Sequence, residues 1–203
     1  MNICPMIEVQ IKSFGGRSQF LTGATLGEEH RERVAEAVLK SAGESDQVIT
    51  VLDFDGVGVA TASYFKAAVL GLAKENLRSL NHSEVAVFPV VHNLSEDVAE
   101  ELTIVCQSEW FPCLEVTKYT QKGLLAGRLH GEIDGSLKRT LQLLQTFTPG
   151  TAASLAEQLP NEKVNPTAWN NRLAELFRLR LATRYKEGRF WKYEPVIKEI
   201  TYG

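Results

Sequence analysis

Asp53 and Asp55 are the two carboxylates best placed for acid–base chemistry, two residues apart just after the β-branched run Val48–Leu52. A strand end is where α/β proteins set functional carboxylates. The chain offers them no glycine-rich phosphate loop and no second acidic pair at a recognisable spacing, so the pair reads as the shaping element of a turn. The four histidines, His30, His82, His92 and His130, and the three cysteines, Cys4, Cys106 and Cys113, lack the close spacing that zinc ligation needs. Cys106 and Cys113 straddle a helix end and the next strand, near enough to meet, yet free cysteine usually packs as a small apolar residue. These residue types point away from an enzyme, and no cofactor or metal is expected.

Charge is the stronger chemical signal. Residues 161–203 carry nine Lys/Arg against five Asp/Glu, a balance of +4, while residues 1–160 carry thirteen against twenty, a balance of −7. An acidic protein is repelled by a phosphate backbone, so the basic end is where contact with nucleic acid should form.

The elements that must position those charges can be read from periodicity. Ala152, Leu155, Ala156 and Leu159 recur at helical spacing after Pro149-Gly150, and Pro160-Asn161 stops that helix. A second helix opens at Asn165-Pro166, an N-cap residue followed by a proline whose missing N–H costs nothing there. Its turn places Trp169, Leu173, Leu176 and Arg180 on one side and Thr167, Asn171, Ala174 and Arg178 on the other. Residues 181–185 and 189–193 then flank a Lys186-Glu187-Gly188 turn, the pattern of a β-hairpin. Upstream, Asp134 caps a helix with a Leu137, Leu141, Leu144 stripe ending near Phe147, which suits either a core or a dimer seam.

With "TAASLAEQL", "NPTAWNNRLAELFRLRLATR" and "GRFWKYEPV", this segment resembles the winged helix-turn-helix domains of bacterial transcription regulators over about sixty residues. The resemblance implies double-stranded DNA as partner, with the recognition helix in the major groove and the hairpin wing on a neighbouring phosphate or minor groove. Carried over by position, Thr167, Asn170, Asn171 and Arg172 become groove candidates, and Arg184, Lys186 and Arg189 wing candidates. Many such proteins bind paired half-sites, so a homodimer is compatible with it. The pattern departs at Leu179-Arg180-Leu181, where relatives place glycine before the final leucine.

Residues 1–125 alternate strand and helix signals. Strands are expected at 7–11, 48–52, 85–91 and 113–117, and helices after a Thr25–Glu28 capping box, from about Ala62 to Asn76, and from Ser95 to Ser108. That alternation implies a sheet with helices packed on it. "VITVLDFDGVGVATASYFKAAVLGLA", preceded by "FLTGATLGEEHRERVAEAVL", resembles the STAS fold of anti-sigma-factor antagonists and related STAS-like domains. The resemblance implies a non-enzymatic interaction domain, a partner for an ATPase of the histidine-kinase type. In such antagonists an Asp-Ser-Ser/Thr-Gly motif carries a phosphorylated serine; here Thr61, Ala62, Ser63 and Tyr64 cover it, and Ala62 takes the acceptor position. Thr61, Ser63 and Tyr64 are the partner-surface candidates by that alignment, and the two hydroxyls read best as helix caps.

The expected organisation is α/β, with a STAS-like sheet domain at 1–125, a linker at 126–133 overlapping "GLLAGRLHG" (123–131), and a winged helix-turn-helix at 134–203. The N-terminus lacks a basic region followed by an apolar one and no run approaches a membrane span, so a cytoplasmic protein without membrane contact is expected. The function this predicts is a DNA-binding transcriptional regulator with partner or signal input through its first domain. The alternative is a non-enzymatic interaction subunit docked on a partner ATPase, its winged helix used for assembly.

Overall fold

The computed structural model describes residues 4–14, 19–78, 83–158 and 164–202. Leu159, Pro160, Asn161 and His82 lie outside them. The chain forms an α/β structure around a mainly parallel sheet. Strands β1 (Met6–Gln10), β3 (Gln47–Asp53), β6 (Glu84–His92) and β7 (Cys113–Thr120) run parallel, in that spatial order. A short pair, β2 (Phe20–Leu21) and β4 (Val59–Ala60), stands apart, and β5 (Asn76–Arg78) pairs antiparallel with the start of β6. Strands β3 and β6 are nearly all buried, as continuous apolar runs in a sheet covered by helices must be.

The crossovers are α1 (Ala24–Ala42), a helical run 62–74, and α4 (Glu96–Ser108). Helix α1 starts at Gly23 with no side-chain cap, so Thr25 falls inside the first turn and the expected capping box does not form. It buries Gly27, His30, Val34 and Val38. A Cβ at Gly27 would stand 2.8 Å from both the Tyr64 carbonyl oxygen and the Ala67 Cβ, so glycine sets how closely α1 approaches the 62–74 run. That run comprises α2 (Ala62–Phe65), a π-helical turn at Lys66–Leu70 and α3 (Gly71–Lys74).

Residues 123–130, of which 126–130 were expected as linker, form strand β8 (Gly123–His130), antiparallel to β7. A Cβ at Gly127 would lie 2.2 Å from the Glu115 carbonyl oxygen, so glycine serves close strand packing there. Three helices follow: α5 (Gly135–Thr146), α6 (Ala152–Gln158) and α7 (Pro166–Arg178). Hairpin β9 (Ala182–Glu187) and β10 (Phe190–Pro195) comes next, with Gly188 at φ 60° in its turn. Gly150 pairs with Tyr193, which ties the segment before α6 to the hairpin. Leu137, Leu141 and Leu144 of α5 are all buried among Leu155, Trp169 and Leu173, so the leucine stripe is core.

The chain then turns back to the sheet. Strand β11 (Ile197–Tyr202) pairs parallel with β8 at the sheet edge, and Ile197 is fully buried. Residues 134–203 are therefore joined by a strand ladder to β8 of the sheet, which extends to residue 130, and the apolar core runs through both without a break.

Candidate nucleic-acid interface

Helix α7 begins as its sequence dictates: the Asn165 side-chain oxygen accepts from the Ala168 N–H at 2.8 Å, and Pro166 follows. A cap of this kind is worth about 1 kcal/mol. Trp169, Leu173 and Leu176 are buried at 1 % exposure or less, against α5 and α6. That inward anchoring turns Thr167, Asn170, Asn171, Ala174 and Arg178 out to solvent. Two exposed amides one helical step apart are suited to hydrogen-bond a base edge. Arg172 is half-buried, its guanidinium 5.3 Å from the Trp169 ring, so the bulky tryptophan both fills the core and steadies a cation at its edge. Arg178 makes a two-point ion pair with Glu175 at 2.8 and 2.6 Å, which offsets its charge.

The hairpin separates its three candidate cations. Arg189 is exposed beside Phe190, which is itself 56 % exposed, and Lys186 is exposed with its Nζ 5.2 Å from Trp191. Arg184 behaves differently. Its guanidinium is sandwiched between Phe177 at 4.0 Å and Trp191 at 4.3 Å, so it fastens the wing to α7 and does not project with the other two.

Two contacts unforeseen in the sequence fix this unit to the sheet. The Gln47 amide at the start of β3 accepts from the Arg184 N–H at 2.9 Å and donates to the Arg184 carbonyl at 2.6 Å, pairing with the hairpin as a strand would. Arg180, just past α7, has φ 60° and is 8 % exposed. Its Nε donates to the Ala73 carbonyl and its Nη2 to Asn76, both at 2.8 Å, and its plane lies over Phe88 and Phe177. The left-handed backbone explains why glycine was expected here; the strain of about 1 kcal/mol is offset by contacts glycine cannot make. A glutamine at the head of an apolar run carries no sequence signal, and the inward side of α7 was the one sign for Arg180.

The partner-surface candidates divide similarly. The Thr61 hydroxyl oxygen accepts from the Tyr64 N–H and the Gly23 N–H, and Ser63 is exposed with its hydroxyl 3.1 Å from that of Thr61. Thr61 is the cap of the 62–74 run, whereas Ser63 lies in its first turn and bonds to the Thr61 hydroxyl. Tyr64 is a correction: it is fully buried, its hydroxyl 2.9 Å from His30 Nδ1. Its neighbour Ser63 points out because the apolar face of the run begins with Tyr64 and Phe65. Burial, and then the charge of Arg33, hold the His30 imidazole below its ordinary pKa. Folding therefore favours neutral His30, and the stability it contributes is present above about pH 6.5 and lost as the pH falls through the lowered folded value. We predict that Tyr64→Phe costs about 1 kcal/mol in denaturant unfolding at pH 7.5. His30→Gln should flatten the loss of stability between pH 7.5 and pH 5.5; a wild-type stability equal at both pH values would refute the assignment.

Elsewhere the polar groups are committed to structure. Asp53 accepts from Gln10, Asn93 and the Asp55 N–H, which holds the turn after β3, and Asp55 pairs with Lys12 at 2.5 Å. Arg128, Glu115, His130 and Thr103 form a hydrogen-bonded row in which Glu115 and His130 are buried. Burial raises the Glu115 pKa, but hydrogen bonds from His130 and Arg128 outweigh it and hold the carboxyl below its usual range. The Thr103 hydroxyl, which would be the nucleophile of such a row, donates to the Ala99 carbonyl within its own helix. Cys106 and Cys113 are free and buried, and burial pushes the Cys106 thiol up to about 12. Among the described residues no group of His, Cys, Asp and Glu could hold a metal ion, and no helix is long and apolar enough to cross a membrane. Comparison with protein-family models, curated proteins and solved structures gave no match.

Proposed function

We propose that the chain is a cytoplasmic DNA-binding transcriptional regulator, in which α5, α6, α7 and the β9–β10 hairpin act as a winged helix-turn-helix and the parallel sheet acts as a STAS-like input domain. The observation that carries this reading is the outer face of α7, where Thr167, Asn170 and Asn171 stand exposed above a fully buried Trp169, Leu173 and Leu176, next to a hairpin whose tip holds Lys186 and Arg189. The Gly150–Tyr193 pairing adds a third strand segment to the hairpin, as the winged arrangement requires.

The sheet supplies the input. Thr61 and Ser63 stand at one end of the 62–74 run, and at its other end the Ala73 carbonyl accepts from Arg180, which closes α7. In this reading a protein partner bound at Thr61 and Ser63 moves the run, its π-helical turn giving the play, and the movement reaches α7 through Arg180. With Ala62 in the acceptor position, the partner is recognised without serine phosphorylation.

The test is binding of random-sequence duplex DNA by the full chain across a salt series. Affinity should fall linearly on a log–log plot, with a slope of about −0.9 per phosphate contacted. Absence of binding at low salt, together with capture of a partner ATPase, would favour the interaction-subunit alternative.

A further inference from the structure

Arg180 does more than close α7, because it lines a cleft. A cavity of about 470 Å³ opens between the end of α7, the start of β5 and the turn after α4, and its lining includes Lys74, Asn76, Glu109, Trp110, Arg178 and Arg180. That size suits a small-molecule ligand. Arg180 is a buried cation whose partners are a carbonyl and an amide, and no carboxylate among the described residues pairs with it. Burial, and then the nearby Arg178 and Arg184, lower its pKa to about 10, the mark of a cation short of counter-charge. The carboxylates nearest these cations are spoken for: Glu109, in the cleft lining, bridges Lys66 and Lys74, and Glu175 pairs with Arg178. Of the three cations that line the cleft, Lys74 and Arg178 each have a carboxylate partner and Arg180 has none among the described residues.

Trp110 forms the lip. It is 85 % exposed and has φ 51°, at the position after α4 where the chain closes with the Phe111 N–H on the Cys106 carbonyl. Three described non-glycine residues take positive φ, and the other two return the strain inside the fold. Asn93 bonds Asp53, and Arg180 bonds Ala73 and Asn76. The Trp110 indole buries almost nothing. A flat aromatic face held open beside an under-neutralised guanidinium is the pairing that a base and its phosphate require.

We infer that this cleft binds a free nucleotide, the base stacked on Trp110 and the phosphate held by Arg180 and Lys74. The inference rests on the regulator reading only for its consequence: a ligand on Arg180 would alter the end of α7 and hence the affinity for duplex DNA.

Isothermal titration of the full chain, without DNA, with a panel of adenine and guanine mono-, tri- and cyclic nucleotides decides the matter, with tripolyphosphate and adenosine as separate arms. At least one nucleotide should bind saturably, and both partial ligands at least about tenfold more weakly. Trp110→Gly should weaken that nucleotide by about tenfold or more while unfolding no earlier than wild type, since glycine suits the left-handed backbone. Lys74→Ala should weaken it through the phosphate. No saturable binding up to millimolar concentration, equal binding of tripolyphosphate, or undiminished binding by Trp110→Gly would each overturn the inference. Nucleotide binding by a chain that ignores DNA would leave the site standing and remove the regulator.

Discussion

Replacing Lys186 and Arg189 together by alanine is expected to lower the affinity for duplex DNA and to flatten its salt dependence by about 1.8 in the log–log slope, two phosphate contacts at about 0.9 each. Both side chains are exposed near the hairpin turn, with Gly188 between them, so neither removal disturbs the core. Arg184→Ala should separate from this pair. Its guanidinium lies between Phe177 and Trp191, so its loss should cost stability, about 0.5–2 kcal/mol for a partly desolvated cation–π contact, and leave the salt slope nearly unchanged. Asn171→Ala should act on sequence preference instead, at about 1–3 kcal/mol for one read base and with little effect on the slope. Electrophoretic or anisotropy titrations at several salt concentrations read all three. A double variant at Lys186 and Arg189 with wild-type affinity and slope would take the hairpin out of the DNA contact, and Asn171→Ala binding all sequences as wild type does would take α7 out of base reading.

The elements that were legible in the sequence are those whose stabilisation is local. The Asn165-Pro166 start of α7, its Trp169–Leu173–Leu176 side and the Asp134 cap of α5 each satisfy a backbone or helical-period requirement that any reader of the chain can compute. The strands β3 and β6 were visible because a sheet covered on both faces demands a continuous apolar run. What stayed hidden depends on partners distant in sequence. Strand β8 was masked by two glycines, one of which is needed by the approach of Glu115; β11 alternates weakly and shows its role only beside β8. Tyr64 was placed on a surface by alignment, yet the hydroxyl that suits a partner is equally satisfied by His30. Among the wing cations the sequence could not distinguish Arg184 from Lys186, since the difference lies in the aromatic rings that fold over one of them.

The larger effect on stability should come from the end of the chain. Charge and periodicity suggest that residues 134–203 stand alone, but in the structure their last strand pairs, among the described residues, with β8 of the sheet alone. Ile197 is fully buried and Val196 donates to the Leu181 carbonyl at 3.0 Å, so β11 also closes the floor of the helix unit. Ile197→Ala is expected to destabilise the whole chain by about 2–5 kcal/mol, a large part of the 5–15 kcal/mol typical of a domain. Because one core spans both parts, unfolding should remain a single transition that shifts as a unit. A fragment of residues 134–203, which lacks β8, Gln47 and the Ala73 and Asn76 partners of Arg180, should lack a cooperative transition in calorimetry or circular dichroism. Its cost is more than lost contacts: Arg180 would keep a strained backbone and a cation without acceptors, and Ile197 would face water. A fragment that melts cooperatively near the temperature of the full chain would show that the sheet is a separate domain merely touched by β11, and would remove the mechanical link from Thr61 and Ser63 to α7.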